Sequence, residues 1–230
     1  MNKRSHIIAD NAVFYILFSA LFIISAFLLY AFSKGDSFLF LDGYHALGFN
    51  VFLVNYTFLG DGIFAMGLFI FLIYRKQATL ALYLFIAFIS AGICVQLIKN
   101  ILHADSLQLY FEASQYRFLV DAFDYSGIGT NNFPSGHTAS AFAIATVLAL
   151  YYPKRIWQFG FLLAALLVGY SRIYLAYHFP IDILIGSLIG VVSGTTTIWS
   201  FQYYKSARIR SNPPSTNSAE KDFYSHSALA

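Results

Sequence analysis

The sequence contains few charged residues: Asp, Glu, Lys and Arg make up 11% of its 230 residues, whereas 58% are hydrophobic. So little charge cannot solvate the surface of an ordinary globular domain, which excludes a typical soluble enzyme. The formal net charge of +3 is also small, so the composition gives no indication of nucleic-acid binding. A membrane protein fits this composition best.

Cysteine and several common catalytic motifs are scarce as well. Cys94 is the single cysteine, which excludes an intramolecular disulfide, and its apolar surroundings predict that it packs inside the fold. The sequence has no Cys/His zinc spacing, no Gly-rich phosphate loop and no Gly-x-Ser-x-Gly elbow. Zinc, nucleotide and serine-hydrolase chemistries therefore lack support.

Long apolar segments are abundant, and they predict an all-α membrane protein with six transmembrane helices. Three segments have no charged side chain and reach the ~20 residues that a spanning helix needs. Three others are shorter or contain one acidic residue, and charge or proline bounds them. The six predicted spans are residues 11–33, 58–74, 77–98, 138–152, 156–171 and 183–204.

These spans divide the chain into three parts. Residues 1–10 are predicted to be a cytoplasmic N-terminus, and the apolar run after them is too long for a signal peptide. Residues 11–204 form the six-span domain, in which residues 37–57 are expected to lie along the membrane interface as an amphipathic helix. Residues 205–230 are rich in Pro, Ser and Asn and are predicted to be a disordered cytoplasmic tail.

The basic residues set the predicted orientation, because short cytoplasmic loops accumulate Lys and Arg. One side of the membrane receives Lys3 with Arg4, Arg75 with Lys76, Lys154 with Arg155, and Lys205 with Arg208 and Arg210. We expect this side to be the cytoplasm. The protein is then a multi-pass protein of the cell membrane with both termini in the cytoplasm. In a bacterium this membrane is the inner membrane.

Polar residues from four helix ends converge on the opposite, outward face. They are Lys99 after the third span, Pro134-Ser135-Gly136-His137 before the fourth, Arg172 after the fifth, and His178 with Asp182 around the start of the sixth. Ionisable groups at membrane helix ends that can pair with one another indicate a functional site. The topology therefore predicts an active site at the outward ends of helices 3 to 6.

These residue types suit a phosphate group. A helix that starts near Ser135 and Gly136 offers free backbone N–H groups and the positive end of the helix dipole. Lys99 and Arg172 add compensating charge, and the planar guanidinium matches phosphate oxygens.

Two histidines near such an anion suggest a nucleophile and an acid. Pro180 is a favourable first helical residue, so Asp182 is expected one turn beyond His178, where it can accept the ring N–H. This contact would fix the tautomer of His178 and raise its nucleophilicity. His137, at a helix start, can protonate the leaving oxygen.

The two motifs resemble a known family. Pro134-Ser135-Gly136-His137, and Ser171-Arg172 followed after five residues by His178 and then Asp182, resemble the second and third signature motifs of the type 2 phosphatidic acid phosphatase (PAP2) superfamily. The resemblance covers roughly residues 56–203.

This resemblance implies a six-span fold with an outward active site and catalysis through a covalent phosphohistidine. His178 would be the nucleophile, Asp182 would orient it, and His137 would be the general acid. The phosphoryl oxygens would be bound by Lys99, Ser135, the Gly136 amide and Arg172. The resemblance implies no metal and no organic cofactor.

The first family motif is degenerate in this sequence. The family has a lysine, six further residues and then Arg-Pro, whereas Lys99 is followed at those places by Ser106 and Leu107. Arg117 lies in the same outward loop and is a possible substitute for the missing arginine. The degenerate motif is compatible with three consequences: altered substrate preference, weakened activity or loss of catalysis.

The expected function is hydrolysis of a membrane lipid phosphate or lipid pyrophosphate, with undecaprenyl pyrophosphate as the first choice. Phosphatidylglycerophosphate, phosphatidate and lipid A phosphates are the alternative substrates. One rival is a transporter or channel, and another is a non-catalytic lipid-phosphate-binding protein, which the degenerate first motif would suit. The expected partners are the lipid substrate and the bilayer, with no nucleic acid and no inferable protein partner.

Other outward polar residues are predicted to be structural. The Gly60-Asp61-Gly62 segment is typical of a tight turn, and His45, His103 and Asp105 are expected to be solvated loop residues.

Overall fold

The computed structural model describes residues 7–42, 47–102, 110 and 132–211, and every regular element within these ranges is a helix. The prediction of an all-α fold is confirmed for this part of the chain. The helices are α1 (Ile7–Asp10), α2 (Ala12–Ala31), α3 (Lys34–Asp42), α4 (Leu47–Tyr56), a 3₁₀ helix (Thr57–Gly60), α5 (Gly62–Tyr74), α6 (Ala78–Ile101), α7 (Gly136–Tyr151), α8 (Arg155–Tyr174) and α9 (Pro180–Ser211).

Four helices of the described chain are long and apolar enough to cross a membrane: Ala12–Ala31, Ala78–Ile101, Arg155–Tyr174 and Pro180–Arg208. A fifth span exists if Gly48–Gly60 and Gly62–Tyr74, which are bent by 60° at their junction, form one broken span. Helix α7 has 16 residues, which at 1.5 Å per residue is shorter than a ~30 Å hydrocarbon core. By length and composition, the structure therefore supports four or five of the six predicted spans.

The segment predicted to be one interfacial helix is described in part. Residues 37–57 include most of α3 and all of α4, with residues 43–46 outside the described ranges, and the 3₁₀ helix begins at Thr57. Part of this segment, Gly48–Gly60, is long and apolar enough for a membrane span together with Gly62–Tyr74, so its position along the interface stays a prediction. At the other terminus, α9 continues to Ser211, past the predicted boundary at residue 204, and residues 212–230 lie outside the described part.

Helix α7 forms the centre of the bundle and packs closely against α9. A Cβ added to Gly190 of α9 would lie 2.5 Å from the carbonyl oxygen of Ala139, and one added to Gly186 would lie 2.7 Å from that of Ser135. Only glycine permits this approach, as in other small-residue contacts between membrane helices. The Ser135 amide also donates to the Asp182 carbonyl oxygen at 3.1 Å, so the beginnings of α7 and α9 lie side by side.

Contacts between distant elements show which helix ends share a side of the bundle. Gln158, near the start of α8, accepts from the Phe14 amide at 3.2 Å and donates to the Asn11 side chain at 2.9 Å, near the start of α2. The rings of Tyr83, near the start of α6, and Phe201, near the end of α9, lie 4.6 Å apart. The Tyr15 hydroxyl, near the start of α2, lies 2.8 Å from the Thr195 hydroxyl near the middle of α9 and connects the two pairs. The starts of α2, α6 and α8 and the end of α9 therefore lie at one end of the bundle.

The outer surface of the bundle is apolar. Exposed large hydrophobic side chains occur along α2, α5, α6 and α8, as expected for helices that face lipid rather than water. Cys94 is exposed beside Ile93 and Leu97 on this surface, so the prediction that it packs inside the fold was wrong. An apolar neighbourhood in the sequence does not distinguish a lipid-facing position from a buried one.

Candidate active site

His178 and Asp182 form a buried pair at the start of α9. Asp182 Oδ2 lies 3.3 Å from His178 Nδ1 and also accepts from the Phe179 amide at 3.0 Å. The side chains are 8% and 4% exposed, so water does not compete for the contact. With Nδ1–H directed at the carboxylate, the lone pair of Nε2 is available for reaction.

The short connection between α8 and α9 holds this pair next to Arg172. The amides of Tyr177 and His178 both donate to the Arg172 carbonyl oxygen, at 3.1 and 3.2 Å. The Arg172 guanidinium lies over the Tyr177 ring, 4.2 Å from its centroid. Asn132 donates to the Tyr177 carbonyl oxygen at 3.3 Å and so ties the segment before α7 to this connection.

The Arg172 side chain has two donor groups in different situations. Its Nη1 donates to Thr57 Oγ1 at 3.2 Å, whereas its Nε is buried and has no hydrogen-bond partner within the described residues. A buried donor left unsatisfied costs ~1–3 kcal/mol. An anionic oxygen that accepted from Nε would remove this cost, and the guanidinium is suited to hold two such oxygens.

Ser135 and Gly136 begin α7 beside these residues. Ser135 is fully buried, and its Oγ accepts from the Thr138 amide at 3.4 Å and the Thr138 hydroxyl at 3.0 Å. The position of a Cβ on Gly136 would be 3.9 Å from Val95, which is one helical turn before Lys99 on α6. The end of α6 is therefore next to the start of α7.

Charges around His178 act in opposite directions on its protonation. Burial, the largest influence, lowers the pKa of His178, and the positive charges of Arg172 and Lys99 lower it further. The hydrogen bond and charge of Asp182 raise it, but the pKa stays below the ordinary histidine value. His178 is therefore neutral at pH 7, the state that a nucleophile needs.

His137 has a partner that sequence reasoning missed. Its Nε2 lies 3.5 Å from Asp61 Oδ2, and both side chains are about one-third exposed. His137 is also within electrostatic range of Arg172 and His178. Gly60-Asp61-Gly62 does form a turn, because Asp61 caps α5, but its contact with α7 joins positions 76 residues apart in sequence. An acidic residue between two glycines beside a predicted outward helix end was the available signal.

The structure brings together seven of the eight predicted site residues: Lys99, Ser135, Gly136, His137, Arg172, His178 and Asp182. Arg117, the possible eighth, lies outside the described residues, as do Ser106, Leu107, His45, His103 and Asp105. Over the described ranges, no group of three His, Cys, Asp or Glu side chains is arranged to hold a metal ion.

An apolar cavity of about 770 Å³ lies between α2, α3 and the bundle of α7, α8 and α9. Its walls include Phe18 and Phe22 of α2, Leu166 of α8, and Pro180 and Ile183 of α9. The last two residues flank Asp182 on either side in the sequence. The cavity therefore reaches the helix turn that bears the histidine–carboxylate pair.

Comparison with known proteins finds several relatives of this chain. The bacitracin transport permease protein BcrC of Bacillus licheniformis is 30% identical over 138 residues, covering 59% of this chain and 64% of that protein. An undecaprenyl-diphosphatase of Sulfolobus acidocaldarius is 31% identical over 119 residues, covering 52% of this chain and 54% of that protein. The chain thus spans between half and two thirds of the length of these curated relatives.

The fold is also similar to a solved structure. The crystal structure of Aquifex aeolicus LpxE matches with a TM-score of 0.60 and 30% identity, covering 71% of this chain and 93% of that chain. The family model of the PAP2 superfamily matches residues 80–206, more than half of the chain, and this range contains Lys99, both histidines of the site, Arg172 and Asp182. The chain therefore belongs to the PAP2 superfamily.

Proposed function

We propose that this membrane protein is a phosphatase that hydrolyses a lipid phosphate or lipid pyrophosphate through a phosphohistidine at His178. The observation that supports this most is the buried His178–Asp182 pair next to Arg172, whose buried Nε has no partner within the described chain. A neutral, oriented imidazole beside an unsatisfied guanidinium donor is suited to attack a bound phosphoryl group.

The proposed reaction has two steps. His178 Nε2 attacks phosphorus, the bond from phosphorus to the leaving oxygen breaks, and His137 transfers a proton to that oxygen. Water then attacks the phosphohistidine and gives a proton to His137, while the phosphorus–nitrogen bond breaks and inorganic phosphate leaves. Lys99, Arg172, the Ser135 side chain and the Gly136 amide stabilise the phosphoryl oxygens in both steps.

A lipid substrate is supported by the apolar cavity beside α9 and by the apolar outer surface. Undecaprenyl pyrophosphate is our first choice, because a long isoprenoid tail suits an apolar cavity and one relative is an undecaprenyl-diphosphatase. Phosphatidylglycerophosphate, phosphatidate and lipid A phosphates are the alternatives within the same class.

In the proposed membrane arrangement, α7 and the bent pair α4–α5 complete six spans. The short α7 then crosses the membrane inside the bundle, where surrounding helices shield it from lipid. The site faces outward, and both termini are cytoplasmic. In a bacterium the membrane that holds the protein is the inner membrane. The common end formed by the starts of α2, α6 and α8 supports this arrangement, because it gathers the basic segments.

The orientation is tested by labelling single cysteines at Asn131 and Arg155 with an impermeant maleimide in intact cells. Cys94 must be replaced first, because it is exposed. Position 131 is expected to react and position 155 to be protected. Labelling of position 155 alone would reverse the orientation.

A transporter is the second candidate, because one relative is named a permease. Phosphate release from the purified protein, given a panel of lipid phosphates and pyrophosphates in detergent, separates the candidates. A phosphatase releases phosphate without a membrane gradient. A transporter or a non-catalytic lipid-phosphate-binding protein releases none, and binding without turnover would identify the latter.

A further inference from the structure

Asp61 belongs to neither matched motif, yet it contacts His137, the proposed general acid. The two carboxylate oxygens have different partners: Oδ1 accepts from the Ile63 amide at 2.7 Å and caps α5, while Oδ2 lies 3.5 Å from His137 Nε2. Capping fixes the direction of the carboxylate, because it ties one oxygen to the first turn of the helix. The contact with His137 is thus held from the backbone of α5.

The chain before Asp61 is built to come this close to α7. A Cβ on Gly60 would lie 2.7 Å from the His137 carbonyl oxygen and 2.8 Å from Val168 of α8. A backbone oxygen in a helix cannot move aside, so this position requires glycine. The close approach therefore depends on the Gly-Asp pair at residues 60 and 61.

The other end of the same 3₁₀ helix contacts the second half of the site. Thr57 accepts from Arg172 Nη1 at 3.2 Å, and Asp61 follows one turn later beside His137. One short element thus touches a phosphate-binding residue and the general acid. Neither contact is made by a side chain within α5.

The charges that face His137 give the Asp61 contact a chemical role. Burial, the largest influence, together with Arg172 and His178 lowers the pKa of His137 to about 4, and Asp61 is the negative charge that opposes this loss of the proton. A general acid must hold a proton until the leaving oxygen takes it. A carboxylate on one ring nitrogen also fixes the ring, so that the other nitrogen faces the reaction.

We infer that Asp61 is a positioning residue that holds His137 by Nε2 and stabilises its protonated form, so that His137 Nδ1 donates the proton to the leaving oxygen. In the second step Nδ1 takes a proton from the attacking water, and Nε2 stays in contact with Asp61. The site then has two histidine–carboxylate pairs, one for the nucleophile and one for the acid. This inference rests on the proposed phosphatase function.

Asp61→Asn tests the inference, because asparagine keeps the cap on α5 but removes the charge. With the lipid phosphate that the wild type hydrolyses fastest, we expect kcat to fall roughly tenfold to a hundredfold and KM to change little. The alkaline limb of the kcat profile shifts to lower pH, because His137 loses its proton more readily. Hydrolysis of p-nitrophenyl phosphate, whose leaving group needs no proton, changes little.

A double-mutant comparison separates this role from a structural one. In a His137→Ala background, Asp61→Asn is expected to have no further effect on kcat, because the group it acts on is absent. The matched control is Asp10→Asn, which removes one exposed carboxylate of α1 and leaves activity unchanged.

Equal losses with both substrates, an unshifted pH profile, or an undiminished effect in the His137→Ala background would each overturn the inference. An active wild type with an unaffected Asp61→Asn variant overturns it as well and leaves the phosphatase proposal standing. A wild-type protein that releases no phosphate from any substrate removes both.

Discussion

Asp182 Oδ2 lies 3.3 Å from Nδ1 of His178, one helical turn earlier in the chain, and also accepts from the Phe179 amide at 3.0 Å. The two bonds lock the carboxylate against the first turn of α9 and leave the ring with one orientation. The five residues from His178 to Asp182 therefore contain both the nucleophile and the carboxylate that orients it.

Asp182→Asn is expected to lower kcat by up to ~10⁴-fold, because an amide cannot stabilise the correct tautomer or the positive charge of the reacting ring. Phosphoenzyme still forms, slowly, because His178 is present. Rapid-quench measurement of both quantities checks this. A variant with wild-type turnover would show that the carboxylate does not orient the nucleophile.

The pH dependence of kcat/KM is expected to have its acid limb below pH ~6.5, the ordinary histidine value, because burial lowers the pKa of His178. Activity rises with pH through this limb, since the neutral imidazole attacks. Lys99→Gln removes a positive charge that lowers this pKa, so the limb is expected to move to higher pH. A limb that stays in place or moves to lower pH would contradict the assignment to His178.

Arg172→Lys is expected to reduce kcat about a hundredfold, because lysine keeps the charge but lacks the planar set of donors that includes Nε. Thr57→Val is the matched comparison: it removes the partner of Nη1 and leaves the guanidinium in place, so its effect is expected to be several-fold smaller. Steady-state kinetics with one lipid phosphate measures both. Equal effects would mean that the contact with Thr57, not Nε, is what matters.

The degenerate first motif gives a prediction about Arg117. If Arg117 replaces the arginine expected at Ser106, Arg117→Ala reduces phosphate release about a hundredfold, and Ser106→Arg in that background recovers part of the loss. The effects of the two changes are then coupled, because both groups act on the same phosphoryl oxygens. Additive effects would remove Arg117 from the site, and a change of substrate preference with Ser106→Arg would indicate that substrate groups fill the space.

Much of this fold was predictable because hydropathy and helix-start residues depend on neighbours within the same segment of the sequence. Uncharged runs located α2, α6 and α9, and Pro180 placed Asp182 one turn beyond His178, as observed. Helix α7 was predicted only as one of six spans, and the structure shows a short central helix whose alanines pack against glycines of α9. The four-residue spacing of Gly186, Gly190 and Gly194 was the sequence signal for that packing.

The contacts of Thr57 with Arg172 and of Asp61 with His137 were not predictable in the same way. Each joins residues more than 70 positions apart, and neither residue belongs to a motif of its own. Hydropathy placed residues 57–61 at the outward end of a span but gave no indication of which helices they approach. That information arises only from the packing of Gly60 against α7 and α8.

The most direct test of the central claim is to trap a phosphoenzyme with substrate labelled at the phosphoryl group, using purified protein in detergent with a metal chelator present. We predict acid-labile, base-stable label on the wild type, none on His178→Ala, and increased label on a His137→Ala variant if hydrolysis of the intermediate slows more than its formation. Label that persists in His178→Ala, or turnover that stops with chelator and returns with a divalent metal, would contradict the account.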